Sequence, residues 1–361
     1  MTIDAVEVGH YRIPLPTVLS DSTHGEITHF ELVTARVRAA DGAEGLGYTY
    51  TVGVGGAAIR SLVENFRPLI VGQDAERIEA LWQRIWWSSH YVGRGGLAAF
   101  AISAVDTALW DLRARRHGLP LWKLLGGHRP RVKAYAGGID LLFPLDRLLR
   151  QTDDNLAKGF RAIKMKVGRP HLREDVERVR AMRERLGPDV PLMVDANMRW
   201  TADEAIRASR ALAAHEVFWL EEPTIPDDVP GHVRIVREGA LPVAAGENLR
   251  TVHEFERFVG AGAVSFPEPD VSNVGGVTAW LKVAHLAEAH NLPVTSHGVH
   301  DLHVHLLAAV PNASYLEVHG FGLERFIAHP LELRDGEAIA PDRPGHGVEL
   351  DWKGLEPHRH R

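Results

Sequence analysis

Short apolar runs alternate with amphipathic stretches from about residue 130 to the C-terminal region. The short runs are VKAYAGG, AIKMKVG, LMVDANM, FWLEEP, VAAGENL, AVSFPEPD, PVTSHG and SYLEVHG. Their length and their aromatic and β-branched content are typical of buried strands. Between the second and third runs, apolar residues recur with helical spacing at Leu172, Val176, Val179, Met182 and Leu186. Eight strands in series, with helices between them, predict an α/β fold of the (β/α)-barrel type.

The first part of the chain has a different pattern, typical of an α+β unit. In the stretch ELVTARVRA, Val33, Ala35 and Val37 alternate with polar residues, which predicts a half-buried strand. Residues 97–117 carry an apolar stripe with helical spacing, and Gly118 and Pro120 follow it. The spacing therefore predicts a helix over 97–117.

Composition and charge narrow the possible partners. The chain has 361 residues, no cysteine and a formal net charge of −6. This charge argues against a nucleic-acid partner. The N-terminal stretch MTIDAVEVGHYRIPLP lacks the features of a secretion signal, and no apolar run of about 18 residues suggests a membrane span. We therefore expect a cytoplasmic protein with no membrane partner.

Polar residues end seven of the predicted strands. In chain order they are Lys166, Asp195, Glu221, Glu247, Asp270, His297 and Glu317. The C-terminal ends of barrel strands meet on one face, where barrel enzymes have their active sites. Asp195, Glu221 and Glu247 end three consecutive strands, so their carboxylates should converge. Three oxygen ligands favour a hard cation, with Mg²⁺ preferred over Mn²⁺ or Ca²⁺.

Lys164 and Lys166 lie two positions apart on the second predicted strand, so both side chains should point the same way. At an effective dielectric constant near 20, two such charges repel by roughly 2–3 kcal/mol. This repulsion and a nearby cation should depress the pKa of Lys166, which would make it a neutral base. Lys164, still charged, would then pair with a substrate carboxylate.

The sixth to eighth strands offer further chemistry. Asp270 should orient and charge His297, which gives an acid/base dyad. Glu317, if protonated, would donate a hydrogen bond to a developing oxyanion. Asn197 shares the face of Asp195 and should contact the substrate. With a metal ion and Lys164 holding a carboxylate, either Lys166 or His297 would remove the adjacent proton to form an enediolate.

This set of motifs resembles the enolase superfamily, and within it the mandelate racemase subgroup. The shared motifs are the K-x-K of Lys164 and Lys166, the D-x-N of Asp195 and Asn197, the E-E-P at 221–223, the G-E at 246–247, and Asp270 with His297. The stretch GLPLWKLLGG at 118–127 is similar to the join between cap and barrel in that family. The resemblance implies a modified (β/α)7β TIM-like barrel with an α+β capping domain. The implied domains are the cap at 1–127, the barrel at 128–322 and a C-terminal segment at 323–361 that completes the cap.

The resemblance also implies one Mg²⁺ and a small sugar-acid substrate, and we further expect a homo-oligomer. Specificity in the family comes from cap loops, which here contain His24, Tyr48 and Tyr50. The stretches LSDSTHGEITHFEL, HYVGRGG and SHGVHDLHVH are similar to the branch that contains 3,6-anhydro-L-galactonate cycloisomerases. That branch expels an ether oxygen at C3, whereas acid-sugar dehydratases expel water. Both reactions yield a 2-keto-3-deoxy acid.

Three other functions are compatible with parts of the sequence. A racemase or epimerase of a 2-hydroxy acid would use Lys166 and His297 as two bases at one carbon. A zinc amidohydrolase is suggested by His303 and His305, but its H-x-H motif would have to end the first strand rather than follow the seventh. A sugar-acid binder without catalysis would not need the acid/base set.

Overall fold

The computed structural model describes residues 1–319 and 321–360. The N-terminal part contains an antiparallel sheet of three strands, β1 (Ile3–Asp21), β2 (Gly25–Ala39) and β3 (Glu44–Thr51). In the predicted strand within β2, Val33, Ala35 and Val37 are buried whereas Arg36 and Arg38 are half-buried. The alternation of polar and apolar residues therefore matches a sheet with one buried face and one more solvent-exposed face.

Four helices follow this sheet, α1 (Gly56–Ile70), α2 (Ile78–Gly93), α3 (Leu97–Arg116) and α4 (Leu121–Leu124), and of these α1 and α3 pack on the sheet. The predicted helix over 97–117 is therefore present as α3. Glycine permits the close packing of α3 on β3, because a Cβ at Gly47 would lie 2.0 Å from the carbonyl oxygen of Ala104.

The second part of the chain forms a parallel sheet whose successive strands are connected by helices. Its neighbouring strands, in spatial order, are β10 (Tyr315–Val318), β4 (Arg131–Gly137), β5 (Ile163–Lys166), β6 (Leu192–Asp195), β7 (Val217–Glu221), β8 (Val243–Ala245) and β9 (Phe266–Pro267). The helices are α5 (Leu145–Ala157), α6 (Leu172–Leu186), α7 (Ala202–Ala213), α8 (Val229–Glu238), α9 (Val252–Ala261), α10 (Gly276–Ala289) and α11 (His300–Ala309). Thr201 caps α7 through a capping box with Glu204.

The predicted seventh strand, PVTSHG, is not a regular strand in the structure. Val294 makes only an isolated bridge with Ala313. The segment still lies between its two expected neighbours, because Thr295 N donates to Pro267 O over 3.0 Å and Ser314 N donates to Val294 O over 2.8 Å. The segment makes few backbone hydrogen bonds with its neighbours, but it occupies the place of the seventh strand in the barrel.

The C-terminal region returns to the N-terminal sheet. Two short strands, β11 (Glu332–Arg334) and β12 (Glu337–Ile339), extend the barrel sheet beside β4. A short α-helix, α12 (Trp352–Leu355), and a 3₁₀ helix (Glu356–His358) follow. His360 N then donates to His10 O on β1 over 2.8 Å. The predicted domain limits stay a prediction. Across all the helices of the described residues, none is both long enough and apolar enough to cross a membrane.

Candidate active site at the mouth of the barrel

Three carboxylates converge at the C-terminal ends of neighbouring strands. Asp195 ends β6, Glu221 ends β7, and Glu247 follows β8 by two residues. One oxygen from each lies within 4.8 Å of the others. Gly246 allows Glu247 to reach this position, because a Cβ there would lie 2.7 Å from the backbone of Glu268.

The surroundings of the three carboxylates fit a divalent cation. Asn197 N donates to Asp195 over 2.8 Å, and the Trp219 indole donates to Glu221 over 3.1 Å. These bonds hold the two acids in place, whereas the buried Oε2 of Glu247 makes no hydrogen bond among the described residues and has the His297 Nε2 beside it at 3.2 Å. An oxygen-only set with an unsatisfied buried oxygen suits Mg²⁺.

Lys164 and Lys166 point to the same side of β5, as predicted, and both are buried. Both pair with Asp195, Lys164 Nζ over 3.6 Å, and Lys164 Nζ also lies 2.5 Å from Glu221 and 2.6 Å from Glu317. Each lysine is therefore surrounded by carboxylates, which offset the cost of burying two cations.

The predicted depression of the pKa of Lys166 includes a bound cation and stays a prediction, because the protein's own charges act in the opposite direction. Burial and the charge of Lys164 do lower its pKa, but Asp195, Glu247 and Glu221 outweigh both, so the pKa is raised above its ordinary value. Burial also lowers the pKa of Lys164, yet Glu221 and Glu317 raise it well above normal. Both lysines are therefore cations.

Glu317 lies on β10, and the charges around it disfavour the protonated form that donation to an oxyanion would require. Burial raises its pKa, but Lys164, His319 and His297 together outweigh burial and hold the pKa well below the usual range. The Glu317 carboxylate also accepts a hydrogen bond from Gly298 N over 2.9 Å. Glu317 is therefore an ionised hydrogen-bond acceptor, which holds Lys164 and the backbone of Gly298, next to His297, in place.

His297 and Asp270 form the predicted contact. His297 Nδ1 lies 3.0 Å from Asp270, and its Nε2 lies 3.2 Å from Glu247. Burial lowers the pKa of His297, but Glu247, Asp270 and Glu317 together raise it to about 10. The imidazole is therefore charged at neutral pH. Asp270 itself lies three residues beyond β9 rather than at its end.

A cavity of about 270 Å³ opens above these groups. Of the predicted residues, those that line it are His24, Tyr50, Lys166, Asn197, Glu247, Asp270, His297 and Glu317. Lys164, Asp195 and Glu221 are buried beside it and do not line it. Tyr48 is also fully buried and does not line the cavity, contrary to its predicted contact with substrate.

The turn between β1 and β2 covers one side of the cavity. Ser22 donates to Ala196 O over 2.6 Å, which ties this turn to the loop after β6. His24 Nδ1 lies 2.9 Å from Asp21, and this hydrogen bond raises the pKa of His24. The turn thus presents a polarised imidazole to the cavity.

Sequence reasoning missed several residues of the cavity wall, including Asp21, Arg250 and His319. Of these three, His319 was the easiest to predict. It lies two positions after Glu317, so the two side chains should point to the same side of the strand. Arg250 and Asp21 lie in turns, where no periodic pattern indicates direction.

The structure gives His303 and His305 structural roles. His303 Nε2 accepts from Val271 N over 2.9 Å, and His305 Nδ1 accepts from Trp122 N over 3.3 Å. Burial lowers the pKa of His303 to about 4 and that of His305 to about 3. Neither residue belongs to the groups of possible metal ligands found among the described residues. These contacts give no support to a zinc amidohydrolase.

Comparison with known proteins agrees with this geometry. The family model "Mandelate racemase / muconate lactonizing enzyme, N-terminal domain" matches residues 3–126, and "Enolase C-terminal domain-like" matches residues 147–354. A 3,6-anhydro-alpha-L-galactonate cycloisomerase from Streptomyces coelicolor is 59% identical over 354 residues, which cover 98% of each chain.

Two solved structures are also similar. The crystal structure of a racemase from Streptomyces coelicolor A3(2) with bound magnesium superposes with a TM-score of 0.98 at 58% identity, over 99% of this chain and 100% of that one. The structure of L-talarate dehydratase from Polaromonas sp. JS666, complexed with Mg and L-glucarate, gives a TM-score of 0.95 at 36% identity, over 100% and 98% of the two chains. The predicted fold class, a modified barrel with an α+β cap, is confirmed. The chain belongs to the mandelate racemase and muconate lactonizing enzyme family of the enolase superfamily.

Proposed function

We propose that this protein removes the proton α to the carboxylate of a sugar acid and then expels the substituent at C3, forming a 2-keto-3-deoxy acid. The observation that carries the proposal is that Lys166 and His297, two groups able to transfer protons, line one cavity together with Glu247 of the metal-binding set. The similar proteins that are named a cycloisomerase and a dehydratase support this class of reaction.

Asp195, Glu221 and Glu247 would hold the metal ion. When bound there, Mg²⁺ supplies positive charge beside the substrate carboxylate and takes up the negative charge of Asp195 that otherwise raises the pKa of Lys166. Lys166 is then the base for the C2 proton. Because Lys164 is held between Glu221 and Glu317, its role is to keep positive charge beneath the site rather than to contact the substrate.

His297 is the acid for the leaving oxygen at C3. Asp270 and Glu317, which are not metal ligands, both raise its pKa, so it keeps a proton to donate. Asp270 fixes the ring through Nδ1, and Nε2, which lies 3.2 Å from Glu247, is the nitrogen on the metal-binding side of the ring. His24, Tyr50 and Asn197 would contact the remaining oxygens of the sugar acid from the cap and from the loop after β6.

The reverse assignment, with His297 as the C2 base, remains a second form of the same proposal. A racemase or epimerase is the alternative function, because two residues able to exchange protons line one cavity. Racemization needs two bases at C2, whereas elimination needs one base and one acid. The charged state of His297 favours elimination.

The test is a panel of aldonates, aldarates and 3,6-anhydro-aldonates, incubated with the protein and Mg²⁺ in D₂O. Formation of a 2-keto acid, abolished by a chelator and restored by Mg²⁺, is the expected result. Recovery of the C2 epimer as the main product would favour the racemase. A protein that binds an acid but exchanges no C2 proton would be a binder without catalysis.

A further inference from the structure

His319 lies just beyond β10, at the part of the cavity wall opposite the three carboxylates. β10 is separated from β6 by β4 and β5 on one side of the barrel. On the other side, β9 and the segment around Val294 lie between β10 and β8. A substrate whose carboxylate lies near the metal-binding set therefore extends toward His319.

The His319 ring is held in place, but its nitrogen atoms make no hydrogen bond within the part of the chain that the structure describes. The ring contacts Phe321 edge-on at 4.8 Å between centroids and lies 5.6 Å from the His297 ring. His319 is 7% exposed, and its buried Nδ1 has no hydrogen-bond partner among the described residues. Nε2 lies 3.8 Å from Glu317, which is too far for a hydrogen bond. A buried imidazole in this state is expected to have a partner that binds from the cavity.

The protonation state of His319 suits recognition of a hydroxyl group. Burial lowers its pKa to about 3, with His297 adding to the effect, so the ring is neutral at physiological pH. A neutral imidazole donates from one nitrogen and accepts at the other, as a sugar hydroxyl also does. His319 is therefore suited to hydrogen bonding rather than to proton transfer.

His319 also separates two cavities. Together with Ile139 it lines both the 270 Å³ cavity and a neighbouring one of about 600 Å³. The larger cavity has Arg147, Asn155 and Lys158 in its wall. Removal of the imidazole would therefore open the end of the catalytic cavity into a second polar space.

We infer that His319 is a specificity-determining residue, which hydrogen-bonds to the sugar-acid oxygen farthest from the carboxylate and limits substrate length by closing that end of the cavity. The inference rests on the proposed function and deepens it. It assigns the polyhydroxy end of the substrate to β10, a strand that contributes no metal ligand.

The experiment compares His319→Phe, which keeps a ring but removes both nitrogens, with His319→Ala, which also opens the wall. His329→Phe is the matched control, because His329 is exposed and outside both cavity walls. With the best acid of the panel, we expect His319→Phe to raise KM roughly tenfold, the loss of about one hydrogen bond, with little change in kcat. His319→Ala should gain turnover of a seven-carbon aldonate that the wild-type protein rejects.

A second readout separates the inference from the proposed function. In a Lys166→Met background, calorimetry measures the affinity of the Mg²⁺-loaded protein for the acids of the same panel, without turnover. We expect His319→Phe to weaken binding by the same factor as KM, and His329→Phe to change nothing. Unchanged affinity in His319→Phe, or no gain of the longer acid in His319→Ala, overturns the inference. A wild-type protein that transforms no acid but shows the His319 effect on affinity contradicts the proposed function alone.

Discussion

The Nζ of Lys164 lies 2.6 Å from the carboxylate of Glu317, and both side chains are buried beneath the cavity. The two residues come from β5 and β10, which both lie beside β4. This ion pair explains how the barrel keeps a lysine in its interior. It also explains why Glu317 stays ionised in an environment that would otherwise protonate it.

Breaking this pair should destabilise the protein. Lys164→Met leaves Glu317 and Glu221 buried without their cation, so we expect the free energy of unfolding to fall by about 3–5 kcal/mol. In the double variant Lys164→Met/Glu317→Gln the loss should be smaller than the sum of the single losses, because the second change removes the unpaired charge. Denaturant unfolding of the metal-free proteins measures these values.

The exposed pair of Arg150 and Asp146, 2.8 Å apart on α5, is the control for this experiment. Arg150→Met should cost less than about 1 kcal/mol, because solvent screens exposed pairs. Strictly additive losses for Lys164 and Glu317 would show that the two charges do not stabilise each other.

Metal binding should depend on each of the three carboxylates. Glu221→Gln removes one negative charge and one strong ligand, so we expect Mg²⁺ affinity to fall at least roughly tenfold, with activity falling in parallel. Calorimetric titration with Mg²⁺ measures the affinity, and Glu216→Gln, an exposed change just before β7, is the control. Equal affinities for the two variants would remove Glu221 from the metal-binding set.

The stability of the protein should depend on pH through the carboxyl of Asp106, which lies where α3 packs on α10. Asp106 accepts hydrogen bonds from Thr278 N over 2.9 Å and from Thr278 Oγ1 over 2.6 Å, and burial raises its pKa to about 7. As the pH rises from about 4 to 7, the unfolded chain loses this proton while the folded protein keeps it, so stability falls.

Asp106→Asn cannot ionise and should remove this contribution. The difference in the free energy of unfolding between wild type and variant should therefore change between pH 4 and pH 7 and stay constant above about pH 8. Urea unfolding at each pH measures this difference. A difference that does not vary with pH would mean that Asp106 is ionised throughout this range.

Exchange of the substrate's C2 proton with D₂O should distinguish the role of His297 from that of Lys166. His297→Asn should lower turnover by roughly 10²–10⁴-fold, because the leaving oxygen loses its acid. If Lys166 is the C2 base, this variant should still exchange the C2 proton with D₂O, as followed by proton NMR. Lys166→Met should lose both turnover and exchange. Loss of exchange in His297→Asn would instead identify His297 as the C2 base.

The positions of the metal-binding acids and of the His297–Asp270 contact could be predicted from the sequence. Parallel strands of a barrel end on one face, so an acid at the end of each of three consecutive strands must approach the others. Asp195 and Glu221 illustrate this, because the strand pattern alone places them side by side, as the β6–β7 register does. The direction shared by Lys164 and Lys166 follows from the two-residue period of a strand in the same way.

Only the tertiary structure decided which charges meet and which side chains reach the cavity. Lys164 and Glu317 are 153 positions apart in the sequence, and no local pattern indicates that they pair. The signs of the pKa shifts depend on distances of a few ångströms to carboxylates on other strands, as Lys166 beside Asp195 shows. Tyr48 and Tyr50 share a strand face and are both buried, yet only Tyr50 lines the cavity. Strand period and strand order are local properties of the sequence, whereas Coulomb interactions and burial depend on contacts that exist only in the folded chain.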